Sequence, residues 1–183
     1  MLVIALKSRS IHRDEAVHQP LDAHVALRAL GINRFYFKYC STFDSTDEGN
    51  IGPVAEALMN AVGDAQTIFC AAFPENDRTV YNGHLFVGDK LLRESGVEHH
   101  PLNPMRGSNL GRVLAKQTQL PVGMIAYSIV ERGAESISQA LELLSACNQP
   151  FVIVDALNNQ HLKSIANACV NMPLIKRRLR TSD

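Results

Sequence analysis

What most constrains this chain is an alternation. Short continuous apolar runs recur between segments with helical spacing. The runs are 2–6 (LVIAL), 34–40 (RFYFKYC), 67–73 (TIFCAAF), 122–127 (VGMIAY) and 151–154 (FVIV). Unbroken apolar runs suit strands covered on both faces, as in parallel sheets. Helical spacing appears at 22–30, with Gly31 as its C-terminal stop, and at 54–62, where Pro53 opens the first turn. It recurs at 109–118 behind Ser108 as N-cap, at 134–147 and at 160–170. Strand–helix–strand repeated in this way predicts a layered, Rossmann-like α/β domain with a mostly parallel sheet. One stretch, 79–87 (TVYNGHLFV), breaks the alternation. Asn82-Gly83 between two β-like runs predicts an inserted hairpin.

Composition narrows the class of protein. With 183 residues and 46% hydrophobic content, the chain can build one core. Lys+Arg is 18 and Asp+Glu is 18, so the net charge is zero. That balance speaks against a nucleic-acid partner and against disorder. No apolar run approaches the ~20 residues of a membrane span, and the start, MLVIALKSRS, lacks the layout of a secretory signal. Cys40, Cys70, Cys147 and Cys169 are spaced for neither a zinc site nor a dithiol motif. They read as small apolar side chains in a reducing compartment, which predicts a cytoplasmic protein. The end, KRRLR at 176–180 followed by TSD, reads as a solvated basic tail or a localisation patch.

In open α/β sheets ligands lie beyond the carboxyl ends of the strands. Neither glycine-rich phosphate-binding motif occurs in the chain. After the first run come Lys7, Ser8, Arg9 and Ser10, which form either an anion cradle or a surface turn. After the second come Lys38, Ser41, Thr42, Asp44, Ser45 and Thr46. Four hydroxyls and a carboxylate suit a polyhydroxylated ligand, with Asp44 as a candidate general base. The same composition also makes a plain turn. Lys38 within an apolar strand needs a partner, and Asp44 is the obvious one. The third loop offers Asn76 and Arg78, and 99–105 (HHPLNPM) reads as a rigid proline-bracketed loop rather than a metal site.

The strings LKSRS, KYCSTFDST, EGNIGPV, FPENDRTVYNGHLFVG, HHPLNPM and SNL resemble the four-carbon acid sugar kinases of the 3-oxo-tetronate type. The likeness runs from Leu2 to about Ile175. It implies transfer of the ATP γ-phosphate, with Mg²⁺, to the terminal hydroxyl of a sugar acid such as 3-oxo-tetronate, erythronate or threonate. It also implies an N-terminal sugar-acid domain and a C-terminal nucleotide domain. This chain resembles the first, as an incomplete domain over 1–175. On that basis Lys7, Ser8 and Arg9 would hold the carboxylate, while Lys38, Ser41, Thr42 and Asp44 would hold hydroxyls. Asn76 and Arg78 supply further groups of the types that a sugar acid needs.

The chain departs from the family in three places. The Asp-Asp-Phe-Thr-Gly-Ala motif that follows the family's first strand is absent. After Met172-Pro173-Leu174-Ile175 the likeness gives way to the eight-residue basic tail 176–183, as a frameshift would leave it, and no nucleotide domain follows. Gly107 stands where the family leads one to expect Asp, and Gly111 lies within a predicted helix at a cost of about 1 kcal/mol relative to Ala. The chain alone is therefore expected to hold no ATP, and a separate nucleotide-binding domain becomes its expected partner. The alternatives are a non-catalytic sugar-acid-binding module, an inactive remnant, or an unrelated α/β enzyme using Asp44 with His99 and His100. A sheet lacking a strand also predicts self-association through an exposed edge.

Overall fold

The computed structural model describes residues 2–43, 46–96, 104–105 and 107–170. The sheet at its centre is parallel and three-stranded, in the order β1-β6-β5. The strands are β1 (Thr67–Phe69), β5 (Val122–Ile125) and β6 (Phe151–Val154). Every residue of the central strand β6 is buried, as an unbroken FVIV run requires. Thr67 pairs with Phe151 on one side and Val122 pairs with it on the other.

Helices complete the layers. Helix α1 (Arg13–Ala29) packs on α2 (Ile51–Val62), and α2 touches α3 (Leu110–Ala115), which leans on β5. Helix α5 (Ala134–Ala146) packs on α6 (Asn159–Ala168), and the short α4 (Tyr127–Val130) lies between β5 and α5. Helix α2 buries seven of its residues, including Val54 and Leu58. Side chains of that size contribute about 1.5–3 kcal/mol each when fully buried. Among the described residues no helix is long and apolar enough to cross a membrane.

The inserted hairpin is present. Strands β2 (Arg78–Tyr81) and β3 (His84–Val87) pair antiparallel, and β4 (Lys90–Leu91) extends them. Asn82 and Gly83 have φ of 47° and 71°, the left-handed pair that a two-residue hairpin turn needs.

Several expectations are corrected. Residues 2–6 form no strand, and Leu2, Val3 and Ile4 are 60%, 79% and 45% exposed. A strand exists only with a ladder partner, and the described ladder β1-β6-β5 gives residues 2–6 none. The 34–40 segment carries a single bridge residue, Phe35, and packs through its rings instead. Phe35 lies against His24 at 4.6 Å, and Tyr39 lies over Phe69 of β1 at 6.2 Å. Lys38 is exposed, so the burial that called for a partner does not arise.

Other corrections concern boundaries. Helix α1 begins nine residues earlier than the apolar spacing indicates, because its buried stripe is Ala16, Pro20 and His24, four residues apart and only partly apolar. Strand β1 ends at Phe69, and β5 ends at Ile125 because Tyr127 opens α4. Asn109, not Ser108, caps α3: its side chain accepts the Arg112 N–H at 2.9 Å, while Ser108 Oγ accepts the Arg93 N–H at 3.0 Å. That places Gly111 in the first turn of α3, where the interior helix cost does not fully apply. Asp44, Ser45, His99, His100 and the tail 176–183 lie outside the described residues.

Candidate functional site

The first loop is held by its backbone. Lys7 N donates to Gln19 Oε1 at 3.1 Å, and the Ser8 carbonyl accepts from Asn50 Nδ2 at 2.9 Å. Asn50 Nδ2 also donates to the Ile11 carbonyl at 2.9 Å. Ser8 is buried, whereas Lys7 and Arg9 are exposed. The loop is thus pinned at its centre, with the two cationic side chains outside.

The second loop turns on Phe43. Its φ of 48° is unusual for a bulky side chain and costs of order 1–3 kcal/mol. Full burial of the ring, edge-on to Tyr39 at 5.3 Å, offsets that cost. Phe43 N donates to the Cys40 carbonyl at 2.9 Å, which closes the turn that carries half-buried Ser41 and Thr42. Cys40 Sγ lies 3.0 Å from Thr42 Oγ1. Burial pushes the Cys40 thiol up, but the hydrogen bonds from Thr42 and the charges of Arg9 and Lys38 outweigh it. The net shift is downward from 9.0. Arg9 of the first loop and Lys38 of the second therefore act on the same thiol.

A buried amide ties this second loop to the helices. Gln117 Nε2 donates to the Thr46 carbonyl at 2.8 Å, and its Oε1 accepts the Gly52 N–H at 2.9 Å. A Cβ on Gly52 would lie 2.7 Å from Gln117 Cβ, so the close approach requires glycine. Outside the amide, Lys116 Nζ pairs with Asp47 at 2.9 Å.

The sequence-predicted groups therefore divide. Lys7, Ser8, Arg9, Lys38, Ser41 and Thr42 stand on two loops that the fold joins. Asn76 and Arg78 stand on a third segment, after β1. Asn76 ends the turn after β1 and Arg78 opens β2, in register with Val87; Arg78 Nη1 donates to the Asn76 carbonyl, and Phe73 and Arg78 exchange backbone bonds at 2.7 and 3.1 Å.

Sequence reasoning missed a third centre, at the carboxyl end of β6. The Asp155 carboxylate is fully buried. It accepts from Asn82 N at 2.6 Å, Gly83 N at 2.9 Å and Tyr127 N at 2.8 Å. Burial raises its carboxyl above 3.8, although the three N–H donors and His84 pull it down. One side chain thus clamps the hairpin turn and the start of α4 to the sheet. Beside it, His161 Nδ1 accepts the Leu157 N–H at 3.1 Å, so Nε2 carries the proton that it shares with Glu131 at 2.8 Å. The signal was available: a lone acid directly after an all-apolar strand.

Residues 1–182 match the family model described as the sugar-binding N-terminal domain. A Burkholderia multivorans relative named 3-oxo-tetronate kinase is 53% identical over 174 residues, covering 95% of this chain and 41% of the relative. A Haemophilus influenzae relative of the same name is 44% identical over 95% of this chain and 42% of its own. The crystal structure of a Haemophilus influenzae protein superposes with a TM-score of 0.92 at 43% identity, over 94% of this chain and 42% of that one. A Bordetella bronchiseptica domain, solved with bound citrate as a domain-swapped dimer, shares the fold at a TM-score of 0.72 and 24% identity. It covers 91% of this chain and 39% of that one. The chain spans about two fifths of the length of the curated relatives it matches. Both its sequence and its fold place the chain in the family of sugar-binding N-terminal domains.

Proposed function

We propose that this chain is the substrate-binding part of a kinase of the 3-oxo-tetronate type, acting on four-carbon sugar acids. The observation that supports the reading is that both loops anchor at the start of α2: Asn50 holds the Ser8 carbonyl, and Gln117, which accepts the Gly52 N–H, holds the Thr46 carbonyl. A sugar acid has one carboxylate and several hydroxyls. In this reading Lys7 and Arg9 hold the carboxylate, Arg9 through its planar fork, while Lys38, Ser41 and Thr42 meet hydroxyls. Asp44 belongs to the same loop and is proposed as the base for the terminal hydroxyl. Asn76 and Arg78 supply further hydrogen-bonding groups in the same reading.

The residues described do not fit ATP with Mg²⁺. The parallel strands run into FPEN, AYSI and DALN, none of which is a glycine-rich turn opening a helix. No group of three His, Cys, Asp or Glu is placed to hold a metal among the described residues. No chemical step is therefore assigned to a nucleotide on this chain. We assign ATP and Mg²⁺ to the remaining part of the longer relatives, or to a separate nucleotide-binding domain, in a cytoplasmic setting. The missing phosphate cradle also favours a second reading, a non-catalytic sugar-acid-binding module.

Two measurements separate these readings. Calorimetric titration with erythronate and threonate should show binding that Arg9→Ala abolishes; unchanged affinity in that variant would remove Arg9 from the site. A coupled ATP-consumption assay should be silent for the chain alone and active when a nucleotide domain from a longer relative is added. Silence after complementation, with binding intact, would leave the binding module.

A further inference from the structure

Asn50 stands at the N-cap of α2, where an asparagine ordinarily accepts an N–H from its own first turn. Here it makes no side-chain cap bond. Its Nδ2 donates instead to two carbonyls of the first loop, Ser8 and Ile11, each at 2.9 Å and 42 and 39 residues away in sequence. The cap duty passes to Gln117, whose Oε1 takes the Gly52 N–H while its Nε2 holds Thr46 of the second loop. Asn50 and Gln117 are both buried, at 7% and 4% exposure. Two buried amides thus fix two polar loops to one helix start.

The geometry points to Asn50 as the positioning residue of the anion cradle, the group that holds the first loop where Arg9 and Lys38 address one ligand. This assignment rests on the reading that the two loops form the sugar-acid site, and it names what sets their spacing. Asn50 does not touch the ligand in this reading. It acts through the Ser8 carbonyl, one residue before the Arg9 side chain. A side chain that only stabilised the fold would leave the field at Cys40 unchanged.

That field can be read without the sugar acid. Cys40 is alkylated by iodoacetate, an anion, or by iodoacetamide, its neutral counterpart. The ratio of the two rates reports the positive charge around the thiol. Exposed Cys147 serves as the internal control. In the wild-type chain the ratio at Cys40 should exceed that at Cys147, and the excess should collapse in high salt. Asn50→Ala should lower the Cys40 ratio roughly threefold, the order expected when a charge recedes by a few Å near a protein surface. The Cys147 ratio should not move. Asn50→Ser, which keeps a capping hydroxyl but cannot span the gap to Ser8, should behave in the same way.

An unchanged Cys40 ratio in a folded variant would overturn the assignment. So would failure of both variants to fold, because Asn50 would then have no positioning role separable from stability. A lowered ratio in a chain that binds neither erythronate nor threonate would support the positioning role and remove the sugar-acid reading instead. Sugar-acid binding that is equally tight in wild type and Asn50→Ala would overturn the positioning role alone.

Discussion

Replacing Asp155 by Ala tests whether one buried carboxylate couples the hairpin to the sheet. The substitution removes the acceptor of three backbone N–H groups. The Gly83 donor is buried and left unpaired, which costs about 1–3 kcal/mol. The Asn82 and Tyr127 donors are half-buried and can turn toward water, so each forfeits only a net bond of about 0.5–1.5 kcal/mol. Relief of the burial that raises the Asp155 carboxyl opposes these losses. A net loss of about 2–4 kcal/mol remains, which for a chain of this length lowers Tm by roughly 5–15 °C. Amide exchange at Asn82, Gly83 and Tyr127 should accelerate before the rest of the sheet. Asp155→Asn keeps one acceptor oxygen and carries no charge to bury, so it should fall between Ala and wild type. The raised carboxyl also makes the wild type less stable as pH rises above about 3.8 through its folded value. Asp155→Asn should lack that slope. A melt of Asp155→Ala within about 1 °C of wild type, or unaltered exchange at Gly83, would refute the clamp.

Two further outcomes follow from buried and exposed groups elsewhere. Burial, with a smaller push from the Arg28 charge, holds His24 below 6.5, so the unfolded chain binds the proton that the folded one resists. Stability should therefore fall as pH drops from about 6.5 toward the folded value, and His24→Phe should flatten that part of the Tm–pH curve; an unchanged curve would clear His24 of the effect. Leu2, Val3 and Ile4 leave a contiguous apolar stretch in water, so the chain should sediment above its monomer mass, and Val3→Lys should shift it toward monomer. A monomeric wild type at assay concentration would count against the exposed run as an association surface.

Much of the architecture was legible in local patterns, for reasons that differ between elements. FVIV predicts β6 residue for residue, because a short, largely β-branched apolar run suits a strand buried on both faces. Asn82-Gly83 predicts its hairpin, because few other pairs adopt two left-handed conformations cheaply. The 2–6 run carries the same local signal and forms no strand, since a ladder is a property of two segments and sequence shows one at a time. Helix α1 was half-hidden, because Pro20 and His24 do not look like a buried stripe until Phe35 packs against it. In the candidate site, Arg9, Lys38 and Thr42 were legible by residue type. Asn50, Gln117 and Phe43 were not, because each acts through a contact more than a turn away or through backbone conformation.

The sequence by itself determined the layered α/β class, the hairpin, the family, and which polar residues follow the apolar runs. Those follow from periodicity, turn chemistry and strings long enough to be specific. Only the tertiary structure decided which of those residues meet. Ser8 and Asn50 are 42 positions apart and share a hydrogen bond; Asp155 reaches back 73 positions to Asn82. The Arg78 side chain, by contrast, reaches two positions back, to the Asn76 carbonyl. Burial is the physical reason. Once the core closes, each enclosed amide and carboxylate must find a partner, and the partner it finds sets which loops stand together.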